Sequence, residues 1–360
     1  MSGQNPLKRI FDLYTSDLSY QEIERLVKRE ASEVYEFFKA DIPKADQSKN
    51  KFIRGLIFAR SLFNAFILKL TPARRIFFLI SLLFFFVGYT QNNPLYTLTA
   101  FLIAILLLAF ELADKLSAKS ELEVARKIQF DLIPKNNAQI EGYDVATYYE
   151  PAREVGGDYF DIIETPDRTF IIVGDISGKG MAAALYMVRV QSIFYSLIDS
   201  YTGVKDIMIN LKKYFSKNLR REFFLTLTIA SIEKDGTMKI ARAGHPPVFH
   251  LRSESKEISV LNPTGMGIGL NDKGLFEQTL EELTFTPQKN DVVLFYSDGL
   301  TETMNIARDQ FGEENVKRII KNNSEKSAEE IKGAILRAAE GFRGTALQYD
   351  DLTMVVLKAY

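Results

Sequence analysis

The 360 residues contain no cysteine, which excludes disulfides, thiolate nucleophiles and cysteine-based zinc sites. Histidine occurs only twice, at His245 and His250, so a multi-histidine metal centre is excluded. Any bound metal must take mainly oxygen ligands, which suits Mg2+ or Mn2+. Charge of one sign is also lacking: 45 Lys and Arg against 46 Asp and Glu leave a net charge of −1. That balance gives no global reason to expect nucleic-acid binding. The first residues, Met1 to Asp12, are polar and carry Pro6, Lys8 and Arg9. They lack the apolar stretch and cleavage site of a secretory signal.

Charge disappears altogether between Ile76 and Phe110. Two apolar runs, Ile76–Thr90 and Leu95–Phe110, are split by Gln91-Asn92-Asn93-Pro94. Each is slightly shorter than the ~20 residues that cross a hydrocarbon core, and flanking residues close most of that gap. Phe84-Phe85-Phe86 makes the first run hydrophobic on every side, which argues against a buried hairpin of a soluble domain. The pattern predicts a two-helix transmembrane hairpin. Lys69, Arg74 and Arg75 precede it, Lys115 and Lys119 follow it, and the loop has no basic residue. The positive-inside rule then predicts a two-pass protein of the cytoplasmic (inner) membrane with both termini in the cytoplasm.

The expected division is 1–72 as a helical N-terminal region, 73–112 as the hairpin, 113–135 as a linker helix and 136–360 as a catalytic domain. Ser19 to Ala40 carries apolar residues at helical spacing, and Phe52 to Leu70 is apolar on one face. The latter fits a helix on the membrane surface or a member of a small helical bundle equally well. Glu111 to Leu132 is strongly helix-forming and is stopped by Pro134. Its apolar positions make no clean heptad.

After Gly142 the texture turns to short strand-like runs: Tyr143–Tyr149, Thr169–Gly174, Phe224–Ile232, Met238–Ala243, Val292–Tyr296 and Leu352–Leu357. Helical stretches interrupt them near Met181–Leu197, Val204–Asn218, Glu313–Lys321 and Ala328–Phe342. The last has a capping box in Ser327 and Glu330 and a stop at Gly344. This grouping indicates an α+β domain.

Four aspartate-containing turns lie at the ends of these runs: Gly156-Gly157-Asp158, Gly174-Asp175-Ile176, Ser297-Asp298-Gly299 and Asp350-Asp351. Any one of them is unremarkable as a turn. Together, at strand ends in one domain, they supply the converging carboxylates that hard divalent cations require. Adjacent glycines let backbone carbonyls approach closely.

These residues carry a resemblance. Ala125-Arg126-Lys127-Ile128-Gln129, Leu132-Ile133-Pro134, and Pro151 through Asp161 resemble the bacterial sporulation stage II protein E-like phosphatases. These form the sigma-factor-regulating branch of the type 2C, metal-dependent protein phosphatases. The similarity continues through Gly174–Gly180, Ala243-Gly244-His245-Pro246-Pro247, Gly265 to Leu270, Tyr296 to Glu302 and Asp350-Asp351-Leu352-Thr353. It runs collinearly from about Glu121 to the C-terminus. The resemblance implies an αββα sandwich with two Mn2+ or Mg2+ ions at one edge of its sheets. Asp158 and Asp175 would hold or bridge the metals, and the Ile176 carbonyl would add a ligand. Asp298 and Asp350 would complete the second metal's ligand set, with Asp351 the alternative to Asp350. Two such ions activate a water for in-line attack on phosphorus and neutralise phosphoryl charge. Arg153 is a candidate phosphate clamp or a solvated surface arginine. Ser177 stands where eukaryotic relatives carry a histidine, so the leaving-group acid is unassigned. His245 reads mainly as a turn-packing residue.

The implied activity is serine/threonine protein phosphatase, with an anti-sigma-factor antagonist as the typical phosphoprotein substrate. The implied regulation runs through the linker helix, often with homodimerisation. The alternative is a catalytically weak signalling scaffold of the same fold. A diguanylate cyclase reading of Gly156 to Phe160 fails because the fourth position is Tyr159 and the later aspartates go unexplained.

Overall fold

A computed structural model describes residues 51–134, 140–201, 203–217, 219–220, 222–270 and 274–360. The amphipathic pattern expected over Ser19–Ala40 lies outside the described residues. The chain divides into two compact units, one ending at Leu116 and one beginning at Ser117.

In the first unit, α1 (Lys51–Lys69), α2 (Pro72–Thr90) and the start of α3 (Pro94–Leu132) follow one another. The α2–α3 turn places Asn92 at φ 49°. Pro94 opens α3 where a missing N–H costs nothing. Gly88 lets the helices approach: a Cβ there would lie 2.5 Å from the Thr97 hydroxyl. The Ser81 hydroxyl donates to the Ala100 carbonyl at 2.8 Å. At the other end Arg74 donates to Glu111 at 2.8 Å and Asp114 at 2.7 Å, so its charge is shared between two acids. Arg75 caps the end of α1 through the Leu68 and Leu70 carbonyls. Leu83, Phe86 and Phe101 are each 62% exposed.

The second unit contains β1 (Tyr143–Glu150), β2 (Asp158–Glu164), β3 (Arg168–Ile176), α4 (Met181–Ile198), α5 (Val204–Ser216), β4 (Leu225–Glu233) and β5 (Met238–Ala243). There follow β6 (Val248–Leu251), β7 (Ile258–Leu261), α6 (Phe276–Thr279), β8 (Glu282–Phe285), β9 (Val292–Tyr296), α7 (Asp298–Thr301), α8 (Glu313–Asn322), α9 (Ala328–Arg343) and β10 (Leu352–Ala359). Two antiparallel five-stranded sheets result, ordered β1-β10-β9-β6-β7 and β2-β3-β4-β5-β8. Helices α4 and α5 cover the second sheet, and α8 and α9 cover the first. This is the expected αββα sandwich.

Alternation along the strands builds the layers. In β10, Val355 and Leu357 join the core between the sheets, while Met354 and Val356 face α8 and α9. Strand β3 is buried on both faces from Phe170 to Val173, which explains its unbroken apolar run. The Ser327–Glu330 capping box forms and α9 ends at Gly344. Three described helices are long and apolar enough to cross a membrane: α2, α3 and α4. Of these, α4 buries Met187, Val190 and Phe194 in the sandwich core.

Candidate metal and catalytic site

The strand register brings the first two aspartates together. Asp158 opens β2 and pairs directly across from Asp175 near the end of β3. The expected turns are therefore strand positions. Like charges directly opposite one another destabilise a ladder unless something offsets them. Asp158 is 1% exposed. The Thr353 hydroxyl donates to its Oδ2 at 2.5 Å. Burial, then the Asp175 and Asp351 charges, hold its carboxyl well above the usual range. Burial with the neighbouring Asp298 and Asp350 pushes Asp175 up to about 8. Asp298, at the first turn of α7, is raised to about 6 by burial, Asp350 and Glu302. Burial and neighbouring acids from both sheets thus disfavour the charge on Asp158, Asp175 and Asp298.

The two adjacent aspartates before β10 do different work. Asp351 accepts the amides of Ala152 at 2.7 Å, Gly157 at 2.6 Å and Asp158 at 3.4 Å. Its carboxylate is committed to shaping the 152–158 loop. Asp350 instead accepts the Asp351 amide at 3.0 Å and the Lys179 ammonium at 2.8 Å. The tandem in β2 splits the same way. Asp161 lies three residues from Asp158, hence on the opposite face, where the Tyr159 hydroxyl donates to it at 2.9 Å.

Glycines keep the edge open. A Cβ on Gly157 would lie 2.8 Å from the Ile176 carbonyl, and one on Gly299 would overlap the Asp351 carbonyl. Gln129, in α3, clamps Gly156 from both sides: its Nε2 donates to the carbonyl at 2.7 Å, and its Oε1 accepts the amide at 3.1 Å.

The remaining candidates fall outside the acid group. Arg153 is exposed in the bend after β1 and makes no hydrogen bond or ion pair among the described residues. Ser177 is tied to Phe224, donating its amide to the Phe224 carbonyl at 2.8 Å and accepting the Phe224 amide on Oγ at 2.7 Å. His245 is buried, its Nδ1 is 2.9 Å from the Thr226 hydroxyl, and burial with Arg242 pulls it down to about 3. It is neutral at pH 7 and cannot serve as an acid there.

The donor set suits a hard divalent cation: carboxylates from four chain segments, and a main-chain carbonyl that Gly157 leaves uncovered. Among the described residues no three acidic or histidine side chains converge around a single point as they stand. The Thr353 hydroxyl holds Asp158, and Lys179 holds Asp350. The acids at strand ends were legible in the sequence. Lys179, Thr353, Gln129 and the separate duty of Asp351 were not, although the glycines flanking Lys179 mark a specialised loop.

Residues 165–360, more than half of the chain, match the family described as Stage II sporulation protein E (SpoIIE). Phosphoserine phosphatase RsbU of Bacillus subtilis is 27% identical over 67% of this chain and 70% of its own length. Phosphoserine phosphatase RsbP of the same organism is 26% identical over 52% of this chain, a match that spans 47% of RsbP. Among solved structures, the SiaA-PP2C domain of Pseudomonas aeruginosa superimposes with a TM-score of 0.62 at 17% identity. That match covers 69% of this chain and 99% of the domain. The RsbU and RsbW domains of Rv1364c from Mycobacterium tuberculosis give 0.52 at 22% identity, over 63% of this chain and 61% of that one. At these identities the solved structures establish the shared fold.

Proposed function

The chain belongs to the SpoIIE family, and from that premise we propose that it is a membrane-anchored, metal-dependent serine/threonine protein phosphatase. Its proposed substrate is a phosphoserine- or phosphothreonine-bearing regulatory protein of the anti-sigma-factor-antagonist type. The observation that carries this reading is the gathering of Asp158, Asp175, Asp298 and Asp350 at one edge of the sandwich, with the ionisation of the first three disfavoured. Divalent cations would offset that charge.

Asp158, Asp175, Asp298, Asp350 and the Ile176 carbonyl would hold two Mn2+ or Mg2+ ions. Bound there, the ions would supply an activated water and charge neutralisation for the phosphoryl group. The chain's own contribution is positional. Asp351 fixes the loop that delivers Asp158, and Gln129 fixes Gly156 within it. Arg153 is free to meet the substrate phosphate. The commitment of Asp351 to three amides favours Asp350 as the ligand of the pair.

Supporting the anchor are the apolar α2 and α3, their exposed Phe and Leu side chains, and basic residues at the outer ends alone. The proposed topology is two passes with both termini cytoplasmic. Exposed Val124 and Ile128, one helical turn apart on α3, support a homodimer through the linker helix.

The test is phosphate release from a phosphoserine peptide by the full chain in detergent. Release should require Mn2+ or Mg2+ and be lost in Asp175→Asn. Release that persists in chelator, or equally in the variant, contradicts the reading. The cysteine-free chain also permits a clean topology test. In intact cells, Asn92→Cys should react with a membrane-impermeant maleimide; no labelling until the cells are opened would reject the two-pass orientation.

A further inference from the structure

Within the acid edge itself one cation stands in direct contact with a proposed ligand. Lys179 lies in the loop from β3 to α4, between Gly178 at φ 96° and Gly180 at φ 79°. Those left-handed positions fix the path of the loop and aim the lysine across the gap between the sheets. Its ammonium donates to Asp350 Oδ2 at 2.8 Å and to the Tyr349 carbonyl, and it lies 4.0 Å from the Tyr349 ring centre. The partners are 171 residues apart in sequence. Their side chains are 28% and 29% exposed, so the pair is shielded yet reachable by ions. Lys179 also draws down the carboxyls of Asp175 and Asp298, against the stronger effects that raise them.

Each oxygen of Asp350 accepts one hydrogen bond, one from the Asp351 amide and one from Lys179. The amide is fixed by the chain. The ammonium rides on four rotatable bonds and can leave. A dication beside Asp350 would repel it, because like charges close together in a partly shielded site disfavour one another.

We propose that Lys179 is a built-in counter-ion that occupies Asp350 in the metal-free protein and must be displaced for the divalent cation to bind. It thereby sets the metal concentration at which the site assembles. This inference rests on the metal-site reading above and adds a residue that competes with the metal. It makes two effects of one substitution run in opposite directions. Without the ammonium, Asp350 loses its partner in the metal-free fold, but the metal no longer has a competitor. A lysine that merely strapped the two loops together would, when removed, weaken the fold and the metal site alike.

The experiment uses the full chain in detergent. It measures Mn2+ affinity by calorimetry and the Tm in chelator for wild type, Lys179→Gln and Lys179→Arg. Lys179→Gln should bind Mn2+ about tenfold more tightly while its metal-free Tm falls by a few degrees, on the order expected for a partly buried ion pair. Lys179→Arg should stay near wild type in both. Equal or weaker Mn2+ binding by Lys179→Gln, against a wild type that binds, overturns the counter-ion role alone. A wild type that binds no Mn2+ overturns the metal-site reading and this inference with it.

Discussion

Strand β9 has an aspartate at each end, and the two behave oppositely. Asp291, just before Val292, is 2% exposed. Burial pushes its carboxyl up, but the amides of Ser253 and Gln288 at 2.8 and 2.9 Å and His250 Nε2 at 2.8 Å outweigh that. The net result is a carboxyl below its ordinary range. Asp298, just after the strand, is raised to about 6 by burial and by Asp350 and Glu302. Donors decide the sign at one end; at the other, burial does, reinforced by the unneutralised Asp350 and Glu302. The Asp291 end is a finished structural pair; the Asp298 end is the one proposed to take metal ions.

That contrast can be broken by exchanging each acid for its amide. Asp298→Asn should lower phosphatase activity on the order of 10³-fold, the scale of losing several kcal/mol of charge stabilisation. The same change should leave the metal-free fold as stable as wild type or more so. Asp291→Asn should do the opposite, costing about 1–3 kcal/mol of stability through unpaired buried donors. Activity measured per folded molecule should hardly change. Denaturant unfolding and phosphopeptide hydrolysis on the same preparations separate the two outcomes.

Asp351 tests whether position or partners matter more. It lies at the acid edge and, like Asp291, is held by amides, three of them, yet burial still raises its carboxyl. Asp351→Asn should therefore destabilise the fold by about 1–3 kcal/mol. A smaller drop in activity than for Asp298→Asn should accompany it, arising through the displaced 152–158 loop. Unchanged stability would show that the loop is held by something else.

The smallest effect is in pH dependence. Asp175 at about 8 and Asp298 at about 6 lie above their unfolded value of 3.8. The folded state then binds more protons than the unfolded state between those values, so stability falls as pH rises. In chelator, the Tm should drop by a few degrees from pH 5 to pH 8. Mn2+ should reduce the drop, and Asp175→Asn should flatten it. Asp291 contributes the other sign, losing its stabilising effect only as pH falls below about 4. A Tm that is flat or rising from pH 5 to pH 8 in chelator would show that the site acids are already neutralised.

These contrasts mark what sequence reading can reach. Asp175 and Asp298 were visible because each stands beside a long apolar strand and a glycine, and strand and turn preferences are local. The grouping of strand-like and helical runs indicated an α+β domain, and the sandwich layers came from the family resemblance. Strand β2 was read as a turn because Gly156-Gly157 and two aspartates suppress local strand preference, and pairing with β3 overrides it. Strands β6, β7 and β8 have only four residues each, too few to show a period. The difference between Asp350 and Asp351 could not be read at all. It depends on which amides and which ammonium, some two hundred residues away, each carboxylate meets. The Gln129 clamp on Gly156 is hidden for the same reason, since a helical glutamine shows no mark of its distant partner.

The most direct test is the stoichiometry of Mn2+ binding to the full chain in detergent, measured beside Asp175→Asn. Two ions per wild-type chain, with one or both lost in the variant, is the predicted result. No binding to wild type, or the same stoichiometry in the variant, would contradict the acid edge as the metal centre.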